Sequence, residues 1–167
     1  MTRHTRISSE IRRGAAVVFL AGLLPLTLGA EPPSAPESLT PAEARGKIIY
    51  TMGRSPAGGP LYYRLISAGR NSFPARGTSC VRCHGPEGRG GRSGDVVPAD
   101  ISYGALSKAA TVSGRERVAY TDALLARAIT EGLDSSGEQL SLLMPRWLLS
   151  ESELADLLAY LKHLGRE

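Results

Sequence analysis

The segment Cys80-Val81-Arg82-Cys83-His84-Gly85 holds both cysteines of a 167-residue chain, so all its thiol chemistry is confined to one C-x-x-C-H stretch. Two thiols three positions apart can add to the two vinyl groups of one porphyrin. The adjacent His84 then falls beneath the iron as proximal ligand. A chain of this kind folds around its cofactor: one haem c, covalent through Cys80 and Cys83, becomes part of the core. Two other uses of such a motif fit less well. A closed zinc site needs four ligands, and only Cys80, Cys83, His84 and His163 are at hand, because His4 lies in a segment read below as removed. A dithiol redox pair belongs to a strand-helix unit of a parallel sheet. The residues around Cys80 are instead rich in Gly, Pro and Arg, with no buried-strand pattern before them.

The amino terminus points to export. Arg3, Arg6, Arg12 and Arg13 precede an apolar run over residues 14–28, then Gly29-Ala30 and a Pro/Ser/Glu-rich stretch. That is the order of a secretory signal peptide, here residues 1–30, and covalent haem attachment outside the bacterial cytoplasm needs one. Cutting after Ala30 places Leu28 where a small residue is usual, so an uncleaved membrane anchor is the alternative, although the run is short for a spanning helix. A membrane enters the reading only through that alternative. With both cysteines assigned to haem, disulfides have no part in the fold.

Removal of residues 1–30 changes the charge argument. The whole chain carries +4, whereas residues 31–167 have 16 basic and 15 acidic side chains and a net charge of +1. Two haem propionates would make it slightly negative, so the basic character belongs mainly to the signal. Nucleic-acid binding, which wants a basic stripe with stacking aromatics, is not expected. The remaining residues suit one small domain, residues 40–167, preceded by a Pro-rich disordered linker over residues 31–39. No internal repeat is visible.

Regular structure reads as helical and sparse. A first helix is predicted over residues 41–52, with Thr40 as N-cap, Pro41 at the first position, Glu43 completing a capping box and Gly53 as the stop. Residues 54–79 carry glycine, proline and short apolar clusters, and read as a long excursion, a hairpin or loop. Residues 86–97 form a glycine-rich loop. It lacks the preceding strand and the Lys-Ser/Thr ending of a phosphate cradle, so close passage of the chain along a porphyrin edge explains it better. Thr121 caps a helix through Glu131 that ends at Gly132. The last helix is the best specified. Ser150 and Glu153 make a capping box, Leu149 and Leu154 a hydrophobic staple, and Leu154, Leu157, Leu158, Leu161 and Leu164 one apolar stripe. Lys162 and His163 fall in its final turn, where positive charge suits the helix dipole.

On these residues the chain resembles the class I c-type cytochromes: a first helix, C-x-x-C-H, a Met in the second half and a carboxy-terminal helix. The resemblance covers most of residues 41–164 and implies an all-α small cytochrome c fold, with helices wrapped around one covalent haem and long loops. It implies that the terminal helices cross, Gly46 and Tyr50 meeting Leu157 and Tyr160. The excursion between Tyr50 and Cys80 departs from the pattern. The resemblance further implies Met144, in Leu143-Met144-Pro145-Arg146-Trp147, as the distal thioether ligand, so that the iron is held by His84 and Met144. His163 and Met52 are the rivals. Pro98 is the implied backbone acceptor for the second ring nitrogen of His84. Trp147, with Arg146, Tyr120 and Arg92, is a candidate hydrogen-bond donor to the propionates.

The function these features lead one to expect is that of a periplasmic monohaem carrier, not an enzyme, passing single electrons from a dehydrogenase or other donor to a downstream acceptor. A thioether ligand raises the reduction potential and leaves no open position for substrate. The alternatives are a haem enzyme or gas sensor whose distal site opens, and a cytochrome subunit fixed to a dehydrogenase or oxidase complex, with the excursion as docking surface.

Overall fold

The computed structural model describes residues 38–91, 96–112 and 114–166. The predicted signal, most of the linker and Arg92 lie outside them. The elements in chain order are helix α1 (Pro41–Met52), strand β1 (Tyr62–Arg64), a 3-10 turn (Ile66–Ala68), β2 (Ser72–Pro74), α2 (Val81–His84), α3 (Tyr103–Leu106), β3 (Ala110–Val112), β4 (Arg115–Arg117), α4 (Asp122–Thr130), β5 (Arg146–Leu148) and α5 (Glu151–His163).

The two long helices are built at their ends as their sequences require. Thr40 Oγ1 accepts from Glu43 N while Glu43 Oε2 accepts from Thr40 N at 2.7 Å, and Ser150 and Glu153 repeat the arrangement at the start of α5. Gly53 closes α1 at φ +61, a left-handed conformation in which glycine avoids the Cβ clash. Where α1 meets α5 the backbones nearly touch. A Cβ on Gly46 would stand 2.0 Å from the Asp156 carbonyl oxygen and 2.8 Å from Tyr160 Cβ. That close approach lets Tyr50, fully buried, lie against the Tyr160 ring with centroids 5.4 Å apart. Arg45 closes the edge of the crossing with a bidentate pair to Asp156, both bonds 2.7 Å. Ile49, Tyr50, Leu157, Leu158, Tyr160, Leu161 and Leu164 thus form the centre of one core, with Leu106, Leu125, Ile129 and Trp147 around it.

The all-α expectation holds only in part: among the described residues five short strands accompany the helices. β1 is central in a three-stranded antiparallel sheet of order β2-β1-β5, with Tyr63 opposite Phe73 on one side and Trp147 on the other. β3 and β4 form a separate hairpin. The excursion therefore supplies two strands and pairs with the segment that follows Met144. It also leaves and returns at one place. Gly53 N–H ends α1, Gly53 O accepts from Leu61 N at 3.2 Å, and a Cβ on Gly53 would stand 2.0 Å from Thr78 O, two residues before Cys80. Residues 54–77 thus leave and return at the end of α1, an insertion relative to the expected pattern, and the C-x-x-C-H stretch begins beside that point.

Candidate haem site

Cys80, Cys83 and His84 share a single helical turn. Cys80 is the residue before α2, and Cys83 N and His84 N both donate to Cys80 O, at 3.2 and 2.9 Å. Both thiols are free, Cys80 half-buried and Cys83 exposed. Burial pushes the Cys80 thiol up to about 12, and the neighbouring Cys83 adds to the effect. A thiol held so firmly protonated is the reverse of the activated thiolate a dithiol redox pair uses. Among the described residues no group of three or more His, Cys, Asp or Glu is arranged to hold a metal ion, and His163 lies elsewhere, stacked on Tyr160 at 6.2 Å.

The imidazole of His84 is oriented by the chain that follows. Its Nδ1 lies 2.9 Å from the Ala99 carbonyl oxygen. A carbonyl only accepts, so Nδ1 carries the proton and Nε2 presents a lone pair, the state a metal ligand needs. Burial lowers the pKa of this ring and favours its neutral form, against a smaller upward pull from the Ala99 carbonyl. The acceptor expected from the sequence was Pro98; the structure shifts it by one residue. The Pro98 carbonyl is turned instead onto Gly90, where a Cβ would approach within 2.4 Å of it. Gly90, at φ +77, also donates from its amide to His84 O at 2.9 Å. The described start of the glycine-rich loop, through Gly90, thus folds back onto the histidine. Ile101 N donates to Gly88 O at 2.6 Å and Tyr103 N to Leu164 O at 2.7 Å, which ties the loop to the end of α5. From above, Tyr50 Oη donates to Gly85 O at 2.6 Å, linking α1 to the residue after His84. Burial raises the pKa of that phenol well above its ordinary value, so it stays a donor.

Met144 lies between a turn and β5. Its amide donates to Ser141 O at 3.1 Å, and its side chain is half-buried. Pro145 follows, then Arg146 and Trp147, both buried. Trp147 packs on Tyr63 with ring centroids 5.7 Å apart, a contact with the excursion that the sequence did not suggest. Arg146 was a candidate propionate donor, but its Nη atoms are engaged by backbone carbonyls of residues 132, 140, 141 and 144. Burial lowers its pKa from the ordinary guanidinium value. Tyr120 lies under Arg117, 5.0 Å from its guanidinium carbon. Of the rival ligands, Met52 is 58% exposed at the end of α1, and His163 is 3.8 Å from Glu43. A cavity of about 500 Å³ borders Arg64, Ile66, Thr130, Arg146 and Trp147, but none of Cys80, Cys83 or His84 forms its wall.

The residues present fit a covalent haem. Two free thiols and an imidazole with an available Nε2 occur on one turn. Val97 (73% exposed), Leu142 (52%) and Leu143 (66%) are apolar surface flanking Ala99 and Met144, of the kind a porphyrin would cover. The family model for cytochrome c matches residues 66–165. The chain belongs to the cytochrome c family. Among curated proteins and among solved structures nothing matches it. The match takes in the C-x-x-C-H turn, the glycine loop, Met144 and α5, and begins within the excursion, so α1 and β1 lie outside it. Membership places the cytochrome among proteins of haem-based electron transfer and implies haem c at Cys80 and Cys83.

Proposed function

We propose that this cytochrome is an exported, periplasmic class I carrier with one haem, moving single electrons from a dehydrogenase or other donor to a downstream acceptor, and that it is not an enzyme. The observation that carries the reading is the His84 Nδ1–H bond to Ala99, which leaves Nε2 as the one ring nitrogen able to reach iron. When bound, the haem supplies a one-electron couple, and a thioether as second axial ligand raises its potential relative to a second imidazole. Cys80 and Cys83 tether it. His84 is the proximal ligand and Met144 the distal one, and Trp147 holds the strand beside Met144 and is a candidate propionate partner. Localisation follows from residues 1–30 read as a signal peptide, with membrane attachment if it is not cut.

The decisive test is the response of the ferrous holoprotein to carbon monoxide. A carrier with both axial positions filled binds none under conditions where a five-coordinate haem saturates. Ready formation of an adduct would move the cytochrome to the class of gas sensors or haem enzymes.

One observation favours the fixed-subunit reading as well. Arg54, Arg64, Arg70 and Arg76 are all exposed, and residues 53–79 contain no Asp or Glu. In a domain otherwise near neutral this makes the excursion a cationic segment suited to an acidic face of the donor dehydrogenase. Expression in the native host separates the two: a subunit co-purifies with its dehydrogenase at low salt and leaves it as salt is raised, whereas a free carrier elutes alone.

A further inference from the structure

Arg146 is 5% exposed, and its partners among the described residues are backbone carbonyls, with no carboxylate. Nη1 donates to Ser141 O at 3.1 Å and to Met144 O, and Nη2 to Leu140 O at 3.1 Å and Gly132 O at 3.5 Å. Nε has no partner. It is pressed onto Gly132, at φ +77, where a Cβ would stand 1.7 Å away. The loop that carries these acceptors is closed on itself. Leu140 N donates to Gly132 O at 2.8 Å, Leu133 bridges Gln139, and Asp134 N donates to Glu138 O at 2.7 Å. On its other side the Arg146 backbone is paired with Arg64 of β1.

Desolvating a guanidinium without a counter-ion is costly, so a buried arginine of this kind needs compensating contacts. Its charge-assisted bonds supply them, and they do so with geometry. The planar fork fixes the relative positions of the carbonyls of residues 140, 141 and 144 at once. No backbone–backbone bond among the described residues reaches the Met144 carbonyl. The hairpin in turn fixes Arg146, because β1 pairs with β5 on the register that sets Tyr63 against Trp147. We propose that Arg146 is a positioning residue: anchored by the inserted hairpin, its guanidinium holds the Met144 loop in the conformation that presents the thioether to the haem iron. The inference rests on Met144 being the distal ligand.

The test uses holoprotein of the wild type, R146Q, R146K and Met144→Ala. It reads the weak far-red sulfur-to-iron band of the ferric form and the affinity of that form for added imidazole. Met144→Ala should lose the band. R146Q should keep its covalent haem and far-UV helical signal, while its band weakens and imidazole binds about ten-fold more tightly, the equivalent of one net hydrogen bond. R146K keeps the charge but not the fork and should fall between. A wild-type band and imidazole affinity in R146Q would overturn the positioning role and leave the ligand assignment standing. If R146Q yields no folded holoprotein, the same wild-type behaviour in R146K overturns the role. A band that survives in Met144→Ala defeats the ligand assignment itself, and the positioning role with it.

Discussion

On the His84 side of the site, the described residues 84–91 and 96–103 are held through backbone carbonyl acceptors. His84 donates to the Ala99 carbonyl, Gly90 to His84, Ile101 to Gly88 and Tyr103 to Leu164, with glycines at φ +75, +70 and +77 at positions 85, 88 and 90. On the Met144 side, residues 132–148 also have backbone bonds, but large buried side chains are added to them. One buried guanidinium gathers the loop carbonyls, and one buried indole seats β5 against the inserted hairpin. The contrast teaches where each half is vulnerable. Backbone brackets tolerate side-chain change except at His84 and the glycines, whereas the Met144 half depends in addition on a few large side chains.

If that contrast is right, Trp147→Ala should have the largest effect of the substitutions considered, about 3–5 kcal/mol for truncating a buried Trp. It should be visible as a lower thermal midpoint of the holoprotein, with loss of the far-red band before loss of helix. A loss under about 1 kcal/mol would mean the hairpin is not seated through this ring. Gly90→Ala attacks the other half. Its Cβ would meet a backbone oxygen at 2.4 Å in a left-handed conformation, and the destabilisation should be about 2–3 kcal/mol. The yield of covalently attached haem should fall with it, because the Ala99 acceptor moves. Wild-type haem yield with an unchanged midpoint would show that the proximal bracket is softer than described. Tyr50→Phe removes only the bond to Gly85 and should cost about 1 kcal/mol, with the far-red band intact.

The smallest expected effect lies in the helix pair that supports both halves. The Thr40 backbone and hydroxyl donors, with smaller contributions from His163 and Arg166, hold the Glu43 carboxyl below its ordinary range. A carboxyl with a depressed folded pKa adds stability above its unfolded pKa and loses it as pH falls through the folded value. The thermal midpoint should therefore drop on acidification through the carboxylate range, and Glu43→Gln should flatten part of that slope without touching either axial ligand. An unchanged slope would remove Glu43 from the acid response.

Much of the scaffold was legible in the sequence because it is written locally. Thr40 with Glu43 and Ser150 with Glu153 are capping boxes that need no tertiary information, and Gly46 has no side chain because Asp156 O lies where one would be. A hairpin or loop was expected over residues 54–79, but the individual strands were not legible. Three residues are too few for an alternation to register, and Tyr62–Arg64 becomes a strand only because β5 and β2 lie on either side. The carbonyl facing His84 was missed by one residue, since which of two successive carbonyls turns inward depends on the path of the glycine loop and on the fit of Gly90 against Pro98. Arg146 looked like a propionate-binding arginine. Its role emerges only when carbonyls from residues 132 to 144 are brought around it.

The central claim is axial ligation by His84 and Met144, and it is tested most directly by the ferric absorption spectrum of the matured holoprotein beside that of Met144→Ala. The account predicts a low-spin wild type with a weak far-red sulfur-to-iron band that disappears in the variant. A high-spin wild type, or a band unchanged by the substitution, would contradict it.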